Sequence, residues 1–472
     1  MKTVKTVKTV EKVISICSWL ILMLFLIGTI PVLAAEPDRD DLAIFGIRAK
    51  RITNACDPEV PAPTKADPNC ATVHANAAWS FDISWFDPAT KKYYLADRDN
   101  KGIDIVDAVT DTVLGVATGF VGVLPGNNTS GPNGVLVTTK PHQLWAGDGN
   151  STVRVYNLNQ AGDTATFLTS IQTGDAQHIG VKRADELAYD PDDQLILVAN
   201  DDDTELFLTF ISVSSNKNNI KVKGVISFLS NCPVGGCATG GIEQPVYDHA
   251  LNRFFVAIPS TIDHPNGEIA VINPKTMQVE KVFGLLDANN NPIPCFPHGL
   301  AQGPNQQLLL GCSADQDDTA FPNGHPLVTI IISALDGSLV RQFNQVGGSD
   351  EVWFNPGDNT YYLAGSNFQL DKNGTGFVCP TKGTPSNCPT TANPVLGIID
   401  AGTDADGPEF IQNIKTGNGD HSVAAVFFVN PENRHDRDAR KSGSDDVINK
   451  VYVPLRVTTS ETGGIGVVGR IP

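Results

Sequence analysis

The chain has 472 residues, with 52 acidic against 34 basic side chains and a formal charge of −18 at pH 7. That balance excludes nucleic acid as a partner, because two polyanions repel. Hydrophobic residues at 41% and charged residues at 18% exclude a disordered chain, and 43 Gly with 31 Pro against 3 Met point to tight turns and few long helices.

The first 35 residues carry Lys2, Lys5, Lys8 and Lys12 and then an apolar run from Val13 to Ile30. A basic start before an apolar stretch is the layout of an export leader, and the small residues around Ala34 and Ala35 suit signal-peptidase cleavage there. The run is also long enough to span a bilayer, so an uncleaved anchor is the alternative. No second span follows, and the mature chain is expected to be secreted or periplasmic. The cysteines agree with export: Cys17 lies in the leader, and the other eight fall into four close pairs, 56 with 70, 232 with 237, 295 with 312 and 379 with 388. Local disulfides between these pairs are the simplest framework for an oxidising compartment.

Residues 36–78 form an N-terminal extension, and residues 79–472 repeat. Each unit opens with a short apolar strand and an Asp-Pro-like turn, followed by a Tyr-Tyr-Leu-Ala type strand and a third strand ending in Asp or Asn. Unit one reads Phe81 to Pro88, Tyr93 to Asp97 and Ile103 to Asp107. Unit two is placed at His142 to Gly147 with Val153 to Asn157. Unit three reads Ala184 to Pro191 with Leu195 to Asn200. Units four to seven begin at Glu243, His298, Asp350 and His421. Short strands recurring with turn residues between them predict an all-β, seven-bladed propeller of four-stranded blades. Leu42 to Ile47 is the expected closing strand, lying beside Gly464 to Ile471 in the last blade. The polar stretches 121–139, 371–393 and 431–448 are expected to be surface loops.

Tyr93 to Asp97 followed by Ile103 to Asp107 resembles the YVTN-type propeller repeat, and the resemblance covers most of residues 79–472. Propellers it is similar to include gluconolactonase-like and virginiamycin B lyase-like enzymes, which implies a divalent cation at the mouth of the central channel. Other propellers of this kind bind partners without turnover, so the resemblance carries fold more than activity.

The start of the innermost strand, where blades converge on the channel, is assigned to Asp82, His142, Asp185, Glu243, His298, Asp350 and His421. All seven can ionise or ligate a metal. Three imidazoles spread around the axis are expected to converge on one cation, so His142, His298 and His421 are the candidate metal ligands. Asp82, Asp185, Glu243 and Asp350 are the candidate catalytic acids or bases, and a cation would relieve their mutual repulsion. Nitrogen-rich ligation favours Zn, Cu, Fe or Mn, while a carboxylate-led site would favour Ca or Mg. The alternative is a hydrated collar that holds the blade tips together. Glu186 and Glu351 would join the site if the register slips by one.

Asp97 to Asp104 imitates a calcium loop, but Lys101 replaces a ligand and no Glu occupies the twelfth position, so a solvated hairpin is the expectation. His74, His178, His249, His264, His325 and His435 fall outside the ring register and are expected on exposed loops. No G-x-S-x-G, H-E-x-x-H or phosphate-binding glycine loop is present. Three functions remain open for a chain expected to be a monomer. They are a metal-dependent hydrolase or lyase acting on a small molecule, a non-catalytic scaffold binding an envelope polymer or protein, and a copper-type oxidoreductase.

Overall fold

The most apolar runs of the sequence become strands buried on both faces. Tyr93 to Asp97, Leu195 to Asn200, Phe254 to Ile258, Leu308 to Cys312 and Tyr361 to Gly365 are buried at every residue. Such runs show no alternation because a neighbouring sheet covers each side. In the computed structural model, residues 45–47, 80–202, 204–313, 327–365, 394–403, 405–416, 421–429, 447–455 and 464–470 are described. They form seven sheets of four antiparallel strands each, arranged as a propeller ring.

Blade one comprises Phe81–Asp87, Lys92–Asp97, Gly102–Asp107 and Thr112–Thr118, in that order from the axis outward. Blades two to six repeat this meander and begin with inner strands Val135–Thr139, Ala184–Asp190, Pro245–Asp248, Pro297–Gln302 and Ser349–Asn355. Blade seven contains Ala424–Val429, Val447–Leu455 and Gly464–Arg470, and its fourth strand comes from the other end of the chain. There Phe45 pairs with Arg470 and Ile47 with Val468, so the N-terminal strand closes the ring as expected.

Seven apolar clusters sit one in each seam between neighbouring blades. In the seam between blades seven and one, Tyr93 stacks on Tyr452 at 4.6 Å between ring centroids. Outer strands such as Thr112–Thr118 alternate between exposed and covered residues, because one edge and part of a face meet water.

The Asp-Pro-like turns work through the aspartate. Asp87 accepts from the Ala89 N–H at 3.0 Å and Asp190 from the Asp192 N–H at 2.8 Å. The last turn residue then adopts a positive φ, 59° at Lys91 and 53° at Gln194.

Blade two corrects the sequence reading. Its inner strand is Val135–Thr139, inside the stretch expected to be a loop, and His142 begins its second strand. The inner strand there is short and joined to the next by Lys140 and Pro141 without an Asp-Pro turn, so matching on that turn landed one strand too late. Cys232 is bonded to Cys237 and Cys295 to Cys312. The other two expected pairs, the leader, and the stretches 371–393 and 431–446 lie outside the described residues. Among the described residues, no helix is long and apolar enough to cross a membrane.

Candidate metal centre at the channel mouth

Inner strands of neighbouring blades are joined by backbone hydrogen bonds, and these fix the register of the ring. The N–H of Gly134 donates to the Asp185 carbonyl, that of Gln244 to the His298 carbonyl and that of Glu351 to the His421 carbonyl. Gly134, Gln244 and Glu351 are therefore equivalent positions, which makes Asn133 the blade-two counterpart of Glu243 and Asp350. At Asp82, Asp185, His298 and Asp350 a local register shift interrupts pairing with the second strand. Such a bulge turns a side chain away from the pleat, here toward the channel.

The structure brings Asp82, Asp185, Glu243, His298, Asp350 and His421 to one end of the channel. His142 is not among them: its Nε2 lies 3.2 Å from Asp87 Oδ2, at the other end of the blade-one inner strand. Five residues of extended chain separate Asp82 from Asp87, roughly 16 Å. The expected three-imidazole centre is therefore not assembled.

Two arginines that sequence reasoning missed occupy half of the ring. Arg98 reaches in from the end of the second strand of blade one. It donates through Nε to the Pro132 carbonyl at 3.2 Å, through Nη1 to Asn127 at 2.8 Å, and through Nη2 to Asn133 at 2.6 Å and to Asp82. Arg183 pairs through Nη1 with Asp185 at 3.0 Å and through Nη2 with Asp201. A signal existed for both, since Arg98 follows the strand-ending Asp97 and Arg183 lies two residues before Asp185.

The other half of the ring is held by histidine. His298 Nδ1 lies 3.2 Å from Asp350 Oδ1 and 3.5 Å from Glu243 Oε1, so the imidazole bridges carboxylates from the blades on either side. Burial works against its charge, but Glu243 and Asp350 outweigh that and push the imidazole up to about 9. Burial drives the Glu243 carboxyl well above the usual range, and the nearby Asp201 adds to this. His421 Nε2 lies 3.3 Å from Asp82 Oδ1, and its ring stacks on Phe81 at 4.9 Å. Despite burial, Arg98 and His421 hold the Asp82 carboxyl down at about 2.

Two overlapping groups have ligand atoms within 4.8 Å of one another: Glu243 with His298 and Asp350, and Asp185 with Asp201 and Glu243. Arg183 serves as the cation of the second group, whereas the first has only His298 between its two carboxylates. Below the ring, the Leu300 N–H donates to Gln244 Oε1 at 2.6 Å, which orients the amide so that Nε2 donates to Glu351 Oε2 at 3.0 Å. Glu186 reaches the same carboxyl from blade three. Deeper still, Trp85 and Trp353 meet edge to face at 5.2 Å. These contacts join blades that are not neighbours, so side chains cross the axis beneath the mouth.

Of the histidines outside the ring, His249 is exposed beside Asp192, while His178 and His264 are partly covered and paired with Asp175 and Glu268. His74, His325 and His435 lie outside the described residues.

No family model and no curated protein matches the chain. Among solved structures it is similar to one titled "Structure of U3-55K", with a TM-score of 0.51 at 8% identity over 83% of this chain and 96% of that one. It is also similar to the RRP9 WD40 repeats, with a TM-score of 0.50 at 9% identity over 84% of this chain and 95% of that one. At these identities the likeness shows the propeller fold alone, and the RRP9 neighbour is a WD40 propeller rather than one of the YVTN or gluconolactonase-like kind expected.

Proposed function

We propose that the protein is an exported propeller that holds one divalent cation at the channel mouth through Glu243, His298 and Asp350. The observation that carries this reading is the convergence of these three side chains, from blades four, five and six, with ligand atoms within 4.8 Å of one another. Two carboxylates balance a doubly charged ion, and one imidazole adds a borderline donor. Such a set suits Mn, Fe, Zn, Mg or Ca better than a copper electron-transfer centre, which asks for two imidazoles and a thiolate.

Three protein ligands leave room in the coordination sphere for water or a substrate oxygen. That is the requirement of a metal-dependent hydrolase or lyase, in which the ion polarises a carbonyl or lowers the pKa of its water. Among the described residues, the Gln244–Glu351 and Trp85–Trp353 contacts lie across the axis below this set. The two disulfides support export.

A second reading has its own observation. Arg98 and Arg183 already neutralise Asp82, Asp185 and Asp201, and His298 with its proton on neutralises Asp350, so the ring is also consistent with a self-satisfied collar on a scaffold. Elemental analysis of protein purified without chelator or nickel resin separates the two. A cation site gives one metal per chain, lost in a Glu243→Gln/His298→Ala variant and kept in His142→Ala. Metal-free wild-type protein leaves the collar.

A further inference from the structure

The three side chains of the channel-mouth set come from three different blades, and beside each of them the chain meets one amide. Gln244 follows Glu243 at the head of blade four, Leu300 lies two residues after His298 in blade five, and Glu351 follows Asp350 in blade six. The Leu300 N–H donates to Gln244 Oε1 at 2.6 Å, and Gln244 Nε2 donates to Glu351 Oε2 at 3.0 Å. These partners stand 56 and 107 residues from Gln244 in sequence, so the amide joins strands that the chain itself leaves far apart.

The two ends of the amide are not interchangeable. A backbone N–H can only donate, so it takes the amide oxygen, and the amide nitrogen is left facing a carboxylate that accepts. A glutamate at this position would turn a second carboxylate on Glu351, and a lysine or arginine would offer Leu300 no acceptor. An aliphatic side chain of the same length would withdraw both contacts.

The backbone around the amide is fixed as well. The Gln244 N–H donates to the His298 carbonyl at 3.3 Å, and its carbonyl accepts from the Ala257 N–H at 3.2 Å. The Glu243 N–H donates to the Ala257 carbonyl at 2.9 Å. Glu243 and Gln244 are thus tied to the second strand of their own blade and to blade five. The Glu351 N–H bonds onward to the His421 carbonyl at 3.1 Å, and the side-chain amide carries blades four and five across to blade six. Each contact falls within two residues of a member of the set, so little backbone is left to absorb a shift. Ligands on three separate strands bind an ion tightly only when their separations are held to about 0.5 Å.

We propose that Gln244 is a positioning residue for the channel-mouth cation, holding Glu243, His298 and Asp350 at ligating separation by tying their three strands together beneath them; this rests on the cation site proposed above.

The test titrates manganese(II) into chelator-treated protein and reads both the free ion and the EPR spectrum of the bound ion, with urea unfolding of the metal-free proteins alongside. Gln244→Met keeps the side chain's length and removes the amide. The exchange Gln244→Glu/Glu351→Gln keeps an acceptor for Leu300 and restores the second contact with donor and acceptor reversed, at unchanged net charge. Gln244→Met should bind manganese about ten- to a hundredfold more weakly and change the bound-ion spectrum, and the exchange should recover most of both. A residue that only supported the fold would lower the unfolding midpoint and leave affinity and spectrum where they are; that result overturns the inference while the cation site stands. If Gln244→Met does not fold, Gln244→Asn, one methylene too short to reach both partners, decides by the same two readings. If wild-type protein binds no manganese, zinc or calcium, the cation site itself falls, and this inference with it.

Discussion

Asp358 has a charge that the fold resists. It sits in the turn between the first two strands of blade six, where its Oδ2 accepts from the Tyr362 hydroxyl at 2.6 Å and from Asn449, while Oδ1 has no partner. Burial raises this carboxyl to about 6, against the pull of the Tyr362 and Asn449 donors. A folded-state pKa above the unfolded value means that the folded protein binds the proton more tightly. The stability it contributes is present below about 4 and is lost as pH rises through about 6. Asp358→Asn removes the titration. Relative to wild type, the variant should therefore gain on the order of 1 to 2 kcal/mol between pH 4.5 and pH 7.5. Urea unfolding of both proteins at the two pH values measures the difference directly, and an unchanged difference would show that the carboxyl titrates normally in the fold.

Inner strands and the turns that feed them decide what reaches the channel, and Arg98 is the clearest instance. Its guanidinium meets four acceptors in different directions, three from the stretch before blade two and one on blade one itself. Truncation by Arg98→Met strands the buried Asp82 carboxylate and should cost about 3 to 5 kcal/mol in chemical denaturation. Arg98→Lys should recover little, because a point charge cannot serve the planar fork's acceptors. Asp82→Asn in the Arg98→Met background should restore part of the loss, since the cost is that of an unpaired charge. The same contacts explain how far the site was legible from the sequence. Strand-starting residues at Asp82, Asp185, Glu243, His298, Asp350 and His421 carried a register signal, because a fixed place in a repeated blade is a fixed place around the axis. His142 misled, since blade two lacks the turn used to find that place. Arg98 and Arg183 lie just outside the inner strands, so a reading confined to strand starts passed over the two side chains that neutralise half the ring. The polar composition of the Asp97 to Asp104 hairpin points to a solvated turn, whereas Asp97 and Asp104 share the face that blade seven covers, hundreds of residues away in sequence, and Arg98 is buried against the stretch before blade two.

Ring closure is a property of the whole molecule, and it rests on a short strand. Apolar second strands such as Leu195 to Asn200 and the recurring Asp-Pro turns made the blade count readable, because each blade can bury its faces only against its neighbours. Six blades complete themselves with consecutive strands, but blade seven borrows Phe45–Ile47 to pair with Gly464–Arg470. Without that strand, Gly464–Arg470 becomes an open edge and blade seven keeps three strands. A chain beginning after residue 47 should therefore lose several kcal/mol, from a short hydrogen-bond ladder at about 1 kcal/mol per bond plus the cover it gives blade seven. Its unfolding should also become less cooperative, because the ends of the ring are no longer tied to each other. The exposed edge should pair with its equivalent in a second copy, so light scattering should show more association in the shortened chain than in wild-type protein. A peptide spanning residues 42–47, supplied in trans, should reverse that association and raise the melting temperature of the shortened chain. If the shortened chain instead melts like wild type and associates no more than it does, the seams alone hold the ring shut.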